Sequence, residues 1–172
     1  YPINIKCGLF GRYLKPYPIA DIHNYNFKKL NFNGLMSKYE KINISQVIDY
    51  IRKNKVQYSS ICRPYKEIIL QYLDMVDNQI INIGSVNNLI LKDNLLYGYN
   101  TDWIAFLKVI KDMNPKKTII LGSGGTALSM AYGLSQRNLD FELYSRNIDA
   151  RNKIGKKYDI PKTPFQRLLL CN

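Results

Sequence analysis

The chain has 172 residues, 46% of them hydrophobic, and a formal net charge of +12 at pH 7. That length suits one ordinary domain or two small ones, and that share of apolar residues is enough for a packed core, which excludes general disorder. No apolar run approaches the roughly 18 residues that span a bilayer. Residues 1–4 do not begin a signal peptide, so we expect a cytoplasmic protein without a membrane partner.

The spacing of apolar residues predicts strands and helices that alternate along the chain. The predicted elements are a strand at 3–10, a helix at 20–30, a strand at 34–40, a helix around 44–51, a strand at 56–62, a helix at 66–73, a hairpin of 86–91 and 95–99, and an amphipathic helix at 102–113. After Pro115 they are a strand at 118–121, a helix at 126–137, a strand at 141–144, a helix at 148–157 and one more helix within 160–172. The second series is βαβα with short turns, which predicts a parallel sheet. We therefore expect a domain boundary near Asn114, between residues 1–114 and 115–172.

The positive charge has two interpretations. A basic surface can bind nucleic acid, but the lysines are spread along the whole chain, without an Arg-rich block or a nucleic-acid motif. The sequence favours a solvated basic surface and no specific nucleic-acid partner. Cys7, Cys62 and Cys171 are widely separated and odd in number, so neither a disulfide framework nor a metal site is predicted. His23 is the single histidine and no serine lies in a nucleophile elbow, which argues against a Ser-His-Asp hydrolase.

A glycine-rich turn lies between the predicted strand at 118–121 and the helix that follows. The turn consists of Gly122, Ser123, Gly124 and Gly125, followed by Thr126 and Ala127. Glycine lets such a turn close tightly and brings backbone N–H groups up to a pyrophosphate at a helix N-terminus. Ala127 is small enough to serve where a third glycine usually permits close helix–strand packing. An ordinary strand–turn–helix connection remains the alternative.

The end of the next predicted strand indicates which dinucleotide would bind. A site for NAD usually has an acidic residue there, whereas this chain has Ser145, Arg146 and Asn147. An arginine can pair with the 2′-phosphate of NADP, and the two polar neighbours can donate hydrogen bonds to it. NADP is therefore predicted over NAD. The alternative is a surface arginine at the end of a strand.

Several short segments, in one order along the chain, resemble the signatures of the shikimate dehydrogenase family. They are Gly8-Leu9-Phe10-Gly11, Ile22-His23-Asn24, Pro64-Tyr65-Lys66-Glu67, Gly84-Ser85-Val86-Asn87-Asn88 and Gly98-Tyr99-Asn100-Thr101-Asp102, followed by the glycine turn and Ser145-Arg146. The resemblance implies an α/β fold with an N-terminal mixed-sheet substrate domain and a Rossmann-type NADP-binding domain. It also implies NADPH-dependent reduction of 3-dehydroshikimate to shikimate, a step of aromatic amino-acid biosynthesis.

The resemblance further implies that Lys66 and Asp102 form the catalytic pair and that Asn87 binds a ring hydroxyl. An ammonium group beside the ketone can stabilise the developing alkoxide and supply a proton. A neighbouring carboxylate keeps the lysine charged, and an amide can donate and accept at once, which suits a polyol. Each residue also has a structural alternative. Lys66 could be a solvated lysine that begins a helix, Asp102 a helix cap and Asn87 a turn residue.

Two motifs depart from the family pattern for substrate recognition, and the first of them is the one that binds the substrate carboxylate in the family. The usual Ser-x-Ser-Pro falls here on Tyr17 and Ile19 in place of the serines, and an Asn-x-Thr pattern falls on Ser60 and Cys62. Tyr17 and Ser60 keep a hydroxyl, Ile19 cannot replace a serine, and Cys62 is a poorer substitute. The predicted substrate-binding residues are therefore Tyr17, Ser60, Cys62 and Asn87.

A further departure concerns the dinucleotide-binding domain. Such a domain is built from two halves, and residues 115–172 supply about the first, so we expect a partial Rossmann-type domain in a chain cut short at its C-terminal end. A quinate or aminoshikimate dehydrogenase, or a degenerate non-catalytic remnant or binding protein, are the alternatives to a shikimate dehydrogenase. The expected partner is a small-molecule substrate, and the expected assembly is a monomer or a homodimer.

Overall fold

The computed structural model describes residues 5–15, 18–40, 43–113, 115 and 117–160. The helices and strands are β1 (Ile5–Gly11), α1 (Ile19–Lys29), β2 (Gly34–Glu40), α2 (Ile44–Lys53), β3 (Tyr58–Ile61), α3 (Tyr65–Ile68), α4 (Asn78–Ile83), β4 (Asn88–Lys92), β5 (Leu95–Tyr99), α5 (Asp102–Ile110), β6 (Thr118–Leu121), α6 (Gly125–Ser135), β7 (Phe141–Tyr144) and α7 (Ile148–Lys157), with a 3₁₀ helix at Ile69–Tyr72. None of the helices in this described part has the length and apolar character needed to span a bilayer.

The chain divides into two compact units. The first comprises the described residues up to Ile81 together with Val86–Tyr99, and the second comprises Asn82–Ser85 and the described residues from Asn100 onwards. The predicted boundary residue, Asn114, lies outside the described residues. Its division into residues 1–114 and 115–172 stays a prediction about functional domains.

A five-stranded mixed sheet organises the first unit, as predicted. The strand order is β2-β1-β3-β4-β5, in which β1 pairs in parallel with β2 and β3, whereas β4 pairs antiparallel with β3 and β5. Apolar side chains on both faces of the central strand β1 are fully buried, since neither Leu9 nor Phe10 retains exposed surface. The sheet is therefore covered on both sides, as parallel strands require.

The β4–β5 hairpin confirms the predicted turn at residues 92–94. Asp93 and Asn94 have φ angles of 51° and 61°. Asn and Asp tolerate this left-handed conformation, and two such residues in succession make a tight turn whose twist matches the strands.

The segment between β3 and β4 differs from the prediction. The helix expected at 66–73 is a single turn, α3, followed by the 3₁₀ helix, and the short helix α4 was not predicted. Three isoleucines give α4 a weak intrinsic helix propensity. Its formation depends instead on Asp77, whose Oδ1 accepts a hydrogen bond from the Ile80 N–H at 2.7 Å, and on burial of Ile80 and Ile83.

The second unit contains a two-stranded parallel sheet of β6 and β7, and both strands and α7 have the predicted bounds. A core of Ile120, Ala127, Ala131, Leu134, Leu143 and Ile154 lies between this sheet and its helices. Helix α5 packs against α6, where a Cβ on Gly133 would come within 3.4 Å of the Trp103 carbonyl oxygen. Of the helix predicted within 160–172, residues 161–172 lie outside the described part.

Candidate functional site

Ser60 and Asn87 belong to one hydrogen-bonded network in the first unit. The Tyr58 hydroxyl donates to Asn88 Oδ1 and lies 3.2 Å from Ser60 Oγ, and Asn88 Nδ2 donates to Asn87 Oδ1 at 2.8 Å. The sheet explains this grouping, because Tyr58 and Ser60 share one face of β3 and Ser60 is the register partner of Asn88. Burial raises the pKa of Tyr58, so its hydroxyl stays a neutral donor.

The backbone of Asn87 is fixed between two strands. Its N–H donates to the Tyr99 carbonyl at 3.0 Å, and its carbonyl accepts from the Ile61 N–H at 2.8 Å. The side chain of Asn87 is half-buried, and because both of its backbone groups are bonded, the strand ends hold this residue in place. Asn87 lies in a bend directly before β4, and its backbone bonds connect this bend to β3 and β5.

Lys66 is half-buried in α3, the single turn that follows β3. Its carbonyl oxygen accepts a hydrogen bond from the Val86 N–H at 2.7 Å. Val86 directly precedes Asn87, so the backbone of the predicted catalytic lysine is tied to that of the predicted hydroxyl-binding residue. The first unit thus brings the segments of Lys66, Ser60 and Asn87 together at one end of β3.

Two residues of the expected substrate-recognition motifs have apolar surroundings. Ile19 and Cys62 both pack against a buried cluster of Cys7, Leu9, Leu14, Ala20 and Met36. A Cβ on Gly11 would lie 2.9 Å from that of Cys62, so the strand passes close to the thiol-bearing residue. Cys62 therefore stays a candidate substrate contact whose clearest described role is packing. Tyr17 lies outside the described residues.

Asp102 is the first residue of α5 in the second unit, and it is half-buried. Its N–H donates to Asn100 Oδ1 at 3.0 Å, whereas the cap residue Thr101 makes no side-chain capping bond. The Asn100 side chain, two residues upstream, therefore accepts the hydrogen bond from the first backbone N–H of α5. The catalytic role of Asp102 therefore stays a prediction, with a capping role for Thr101 and Asp102 as its alternative.

The predicted glycine turn has the backbone that an anion site needs. Gly122 has φ +114°, which favours glycine, and its N–H donates to the Tyr144 carbonyl at 2.7 Å. Helix α6 then begins after Gly124, which has no side chain to cap it, whereas α7 begins with the side chain of Asn147. The first N–H groups of α6 are thus not covered by a capping side chain, and a helix N-terminus of this kind favours a phosphate group.

The first two residues of the glycine turn and the Ser-Arg-Asn segment line one pocket of about 500 Å³. It is lined by Leu121, Gly122, Ser123, Tyr144, Ser145, Arg146 and Asn147. Ser145 Oγ lies 2.8 Å from Ser123 Oγ and accepts the Asn147 N–H at 3.1 Å, which joins the ends of β6 and β7. These polar groups and the uncapped helix fit a phosphorylated dinucleotide.

The remaining predicted cofactor residues differ in how far they are exposed to solvent. Arg146 is exposed, as a residue that reaches for a phosphate needs to be, and Thr126 is exposed beside the turn. Ala127 is buried in the core of the second unit, which is the packing role predicted for it. Asn147 is also exposed, but its Oδ1 already accepts a hydrogen bond from the Ala150 N–H at 3.0 Å and so caps α7.

A larger pocket, of about 800 Å³, lies at the opposite edge of the same sheet. Its lining includes Lys117 and Asp140, which directly precede β6 and β7. Ligands of open parallel sheets bind at the carboxyl ends of the strands, where the smaller pocket lies. Position relative to the strands, and not volume, therefore favours the pocket beside Gly122.

The sequence motifs predict no binding or catalytic role for three polar residues of these sites, Tyr58, Asn88 and Asn100. Asn88 and Asn100 belong to the quoted motifs, but their partners depend on strand register and on contacts between helices. Tyr58 had one available signal, its position two residues before Ser60 on a predicted strand.

The fold and these sites define an α/β protein in which a mixed sheet is followed by a Rossmann-type βαβ unit with a glycine-rich turn. Residues 17–89 match the family described as shikimate dehydrogenase substrate binding domain. This match assigns residues 17–89, by similarity, to the substrate-binding domain of shikimate dehydrogenases.

Relatives and solved structures agree with this assignment. Over 164 residues the chain is 37% identical to the shikimate dehydrogenase (NADP(+)) of Clostridium botulinum (strain Loch Maree / Type A3), covering 89% of this chain and 62% of that protein. The structure is similar to shikimate dehydrogenase from Aquifex aeolicus, with a TM-score of 0.83 at 28% identity over 90% of this chain and 60% of the other. Shikimate dehydrogenase 1 from Peptoclostridium difficile gives a TM-score of 0.78 at 28% identity, over 85% and 58%. The chain thus spans about three fifths of the length of the relatives it matches.

Proposed function

We propose that this chain carries the substrate site and part of the cofactor site of an NADPH-dependent enzyme that reduces 3-dehydroshikimate to shikimate. The observation that carries the proposal is the set Lys66, Asn87 and Asp102, each present in the motif where the family places it. The relative of Clostridium botulinum is named as a shikimate dehydrogenase that uses NADP(+), which supports both the substrate and the cofactor.

Each of these three residues has a step in the proposed reaction. NADPH, when bound, supplies the hydride to the ketone of the ring. The Lys66 ammonium stabilises the charge that develops on the oxygen and gives it a proton, which makes the lysine a general acid. Asp102 keeps the lysine protonated and accepts a hydrogen bond from a ring hydroxyl. Asn87, whose backbone is fixed between β3 and β5, orients the ring through a second hydroxyl.

The cofactor would be held by the second unit. Backbone N–H groups at Gly124, Gly125 and Thr126 would bind the pyrophosphate, with Gly122 shaping the turn and Ala127 packing the helix. Arg146 would pair with the 2′-phosphate, and Ser123, Ser145 and Asn147 would complete the polar rim. The pocket of about 500 Å³ beside these residues supports the assignment.

Tyr17 is the proposed hydroxyl donor to the substrate carboxylate, with Ser60 and Cys62 beside the ring. Of the two positions where the family has serines, Tyr17 is the one that carries a hydroxyl. Ile19 has none and packs against an apolar cluster. Replacing Tyr17 with Phe should weaken shikimate binding and leave NADPH binding unchanged. Isothermal titration of both ligands against the two proteins measures this. Equal shikimate affinity would show that the carboxylate is held elsewhere.

A quinate or aminoshikimate dehydrogenase is the second candidate, and Ile19 is the observation that favours it. An isoleucine that belongs to a packed cluster cannot bind a carboxylate, so the ring substituents that this site accepts could differ from those of shikimate. We also propose that the protein is a monomer or a homodimer in the cytoplasm. Light scattering would determine its oligomeric state.

The test is a panel of reactions with the purified chain. NADPH oxidation is followed with 3-dehydroshikimate, and NADP(+) reduction is followed with shikimate, quinate and aminoshikimate. Turnover of the first pair supports the proposal, and preference for another ring supports the second candidate. NADPH and shikimate binding without turnover would instead identify a non-catalytic binding protein, and binding of neither would contradict the proposed function.

A further inference from the structure

The side chain of Asn100 makes three hydrogen bonds inside the second unit, and only 3% of this residue is exposed. Its Nδ2 donates to the Ser85 carbonyl and to Ser129 Oγ, both at 2.8 Å. Its Oδ1 accepts the N–H of Asp102 at 3.0 Å. One buried amide thus bonds three separate segments, and an amide is the side chain that can donate twice and accept at the same position.

The Ser129 end of this network leads to the glycine turn. Ser129 is buried in α6, and its hydroxyl donates to the Gly125 carbonyl at 2.9 Å while it accepts from Asn100. Gly125 is the first residue of α6. A short chain of hydrogen bonds therefore connects the N–H of Asp102 to the turn that is proposed to bind the pyrophosphate.

Packing between α5 and α6 reinforces this connection. The Trp103 ring contacts the edge of the Tyr132 ring, with centroids 5.3 Å apart and planes at 90°. Gly133 allows the Trp103 backbone to approach α6 closely. The first turn of α5 is thus fixed to α6 by hydrogen bonds on one side of Asp102 and by ring packing on the other.

We propose that Asn100 is a positioning residue that fixes the catalytic carboxylate of Asp102 relative to the cofactor-binding turn of α6. The inference rests on the proposed function of Asp102 and of the glycine turn. Hydride and proton transfer require the reacting atoms to be held about 3–3.5 Å apart, and misplacement by about 1 Å can cost roughly 100-fold in rate. A rigid link between the residue that contacts the ring and the turn that holds the cofactor supplies that alignment.

Three single variants test this link. Asn100→Ala removes all three bonds, whereas Ser129→Ala removes the bond between Asn100 and α6 together with the bond from the Ser129 hydroxyl to the Gly125 carbonyl. Ser135→Ala is the matched control, because the Ser135 hydroxyl also donates to a carbonyl of its own helix, that of Tyr132 at 2.8 Å, and is not bonded to Asn100. Each protein is assayed for kcat and for KM of both ligands, with thermal unfolding measured alongside.

We expect kcat to fall roughly 10- to 100-fold in Asn100→Ala and less in Ser129→Ala, with smaller changes in KM. Ser135→Ala should keep the wild-type kcat. If both test variants lose thermal stability but keep kcat, Asn100 is merely structural and the proposal is overturned. Ser129→Ala keeps the test decisive if Asn100→Ala fails to fold.

Amide hydrogen exchange gives a readout that does not depend on activity. Loss of its acceptor should make the Asp102 N–H exchange faster in Asn100→Ala, whereas Ser135→Ala should leave it protected. Unchanged exchange in a folded Asn100→Ala protein would contradict the link. If the wild-type chain turns over no dehydroshikimate, the proposed function fails, and this measurement still decides whether Asn100 holds Asp102.

Discussion

Arg146 is exposed at the rim of the pocket, while the residues on both sides of it are engaged. Ser145 is buried and bonded to Ser123, and Asn147 caps α7. The guanidinium is therefore the cationic group of this segment that can reach a 2′-phosphate in solution. A charge-assisted, bidentate contact of this kind is worth about 2–3 kcal/mol.

The first prediction concerns cofactor choice. Arg146→Ala should weaken NADPH binding roughly 30- to 150-fold, the equivalent of that free energy, and should leave NADH binding nearly unchanged. Titration of both nucleotides by fluorescence measures it. Arg137→Ala, at the exposed end of α6, is the matched control and should affect neither. Equal losses for NADPH and NADH would show that Arg146 does not recognise the phosphate.

The second prediction concerns the catalytic pair. Lys66→Ala should lower turnover of dehydroshikimate by about 10²–10⁴-fold, the usual contribution of positioned proton transfer. Asp102→Asn should also lower turnover strongly, although an acid in the first turn of a helix contributes only about 0.3–1 kcal/mol to stability. The double variant should lose less than the sum of both, because the carboxylate acts through the lysine.

Kinetics of the two single variants and the double variant, with thermal unfolding of each, test the pair. Lys111→Ala and Asp112→Asn are suitable controls, since both residues are exposed just after α5. Wild-type activity in Asp102→Asn would reduce that residue to a stabilising charge at the helix N-terminus. It would remove half of the proposed chemistry.

Single residues were predictable where a motif fixes both the residue type and its role. The φ angle of Gly122 and the burial of Ala127 follow from the spacing of the glycine turn. Tyr58 and Asn100 could not be assigned in this way, because their partners lie 30 and 29 residues away along the chain. Their roles depend on sheet register and helix packing, which one sequence pattern does not specify.

At the scale of elements, the strands were the most predictable. Strands β2, β6 and β7 have the predicted bounds, and β6 and β7 end directly before turn residues, Gly122 and Ser145. The region of α3 and α4 was not predictable, since α4 depends on the cap by Asp77 and on burial more than on propensity. Burial of a short segment is a property of the folded sheet beside it.

Asp74 connects two elements of this region and gives the third prediction. Its Oδ2 accepts from the Leu96 N–H and from Arg52, both at 2.6 Å, and Arg52 also donates to the Asn94 carbonyl at 2.9 Å. The Leu96 N–H and then Arg52 lower the pKa of Asp74 from its ordinary value. Because the folded pKa is the lower one, the bond stabilises the protein above the unfolded pKa of about 3.9 and is lost as pH falls through the folded pKa.

Asp74→Asn should therefore destabilise the protein by on the order of 1 kcal/mol at neutral pH, a value discounted because the pair is about one third exposed. The difference from wild type should shrink as pH is lowered below about 4. Thermal unfolding across a pH series measures it, with the exposed Asp49→Asn in the same unit as control. A difference that persists unchanged in acid would assign the effect to packing and not to charge.

At the scale of the whole molecule, the sequence predicted two domains but not the place of α5. Its amphipathic pattern indicates one apolar face without indicating which neighbour covers it. In the structure that face meets α6, where Phe106 and Ile110 pack against the core of the second unit. The proposed functional division near Asn114 and the compact units therefore differ in the assignment of α5 and of the segment Asn82–Ser85.

The last prediction concerns the net charge of +12, which belongs to the whole chain. A basic surface without a recognition motif should bind nucleic acid only through phosphates and counterion release. Binding should therefore be weak, independent of base sequence and steeply salt-dependent, and largely absent at about 0.15 M salt. Fluorescence anisotropy with two DNA duplexes of equal length and unrelated sequence, at low and physiological salt, measures this. NADPH at saturating concentration serves as the control for a specific anion, since its binding should fall much less with salt. Tight binding to one duplex at physiological salt would contradict the solvated-surface interpretation and would assign the charge a nucleic-acid partner.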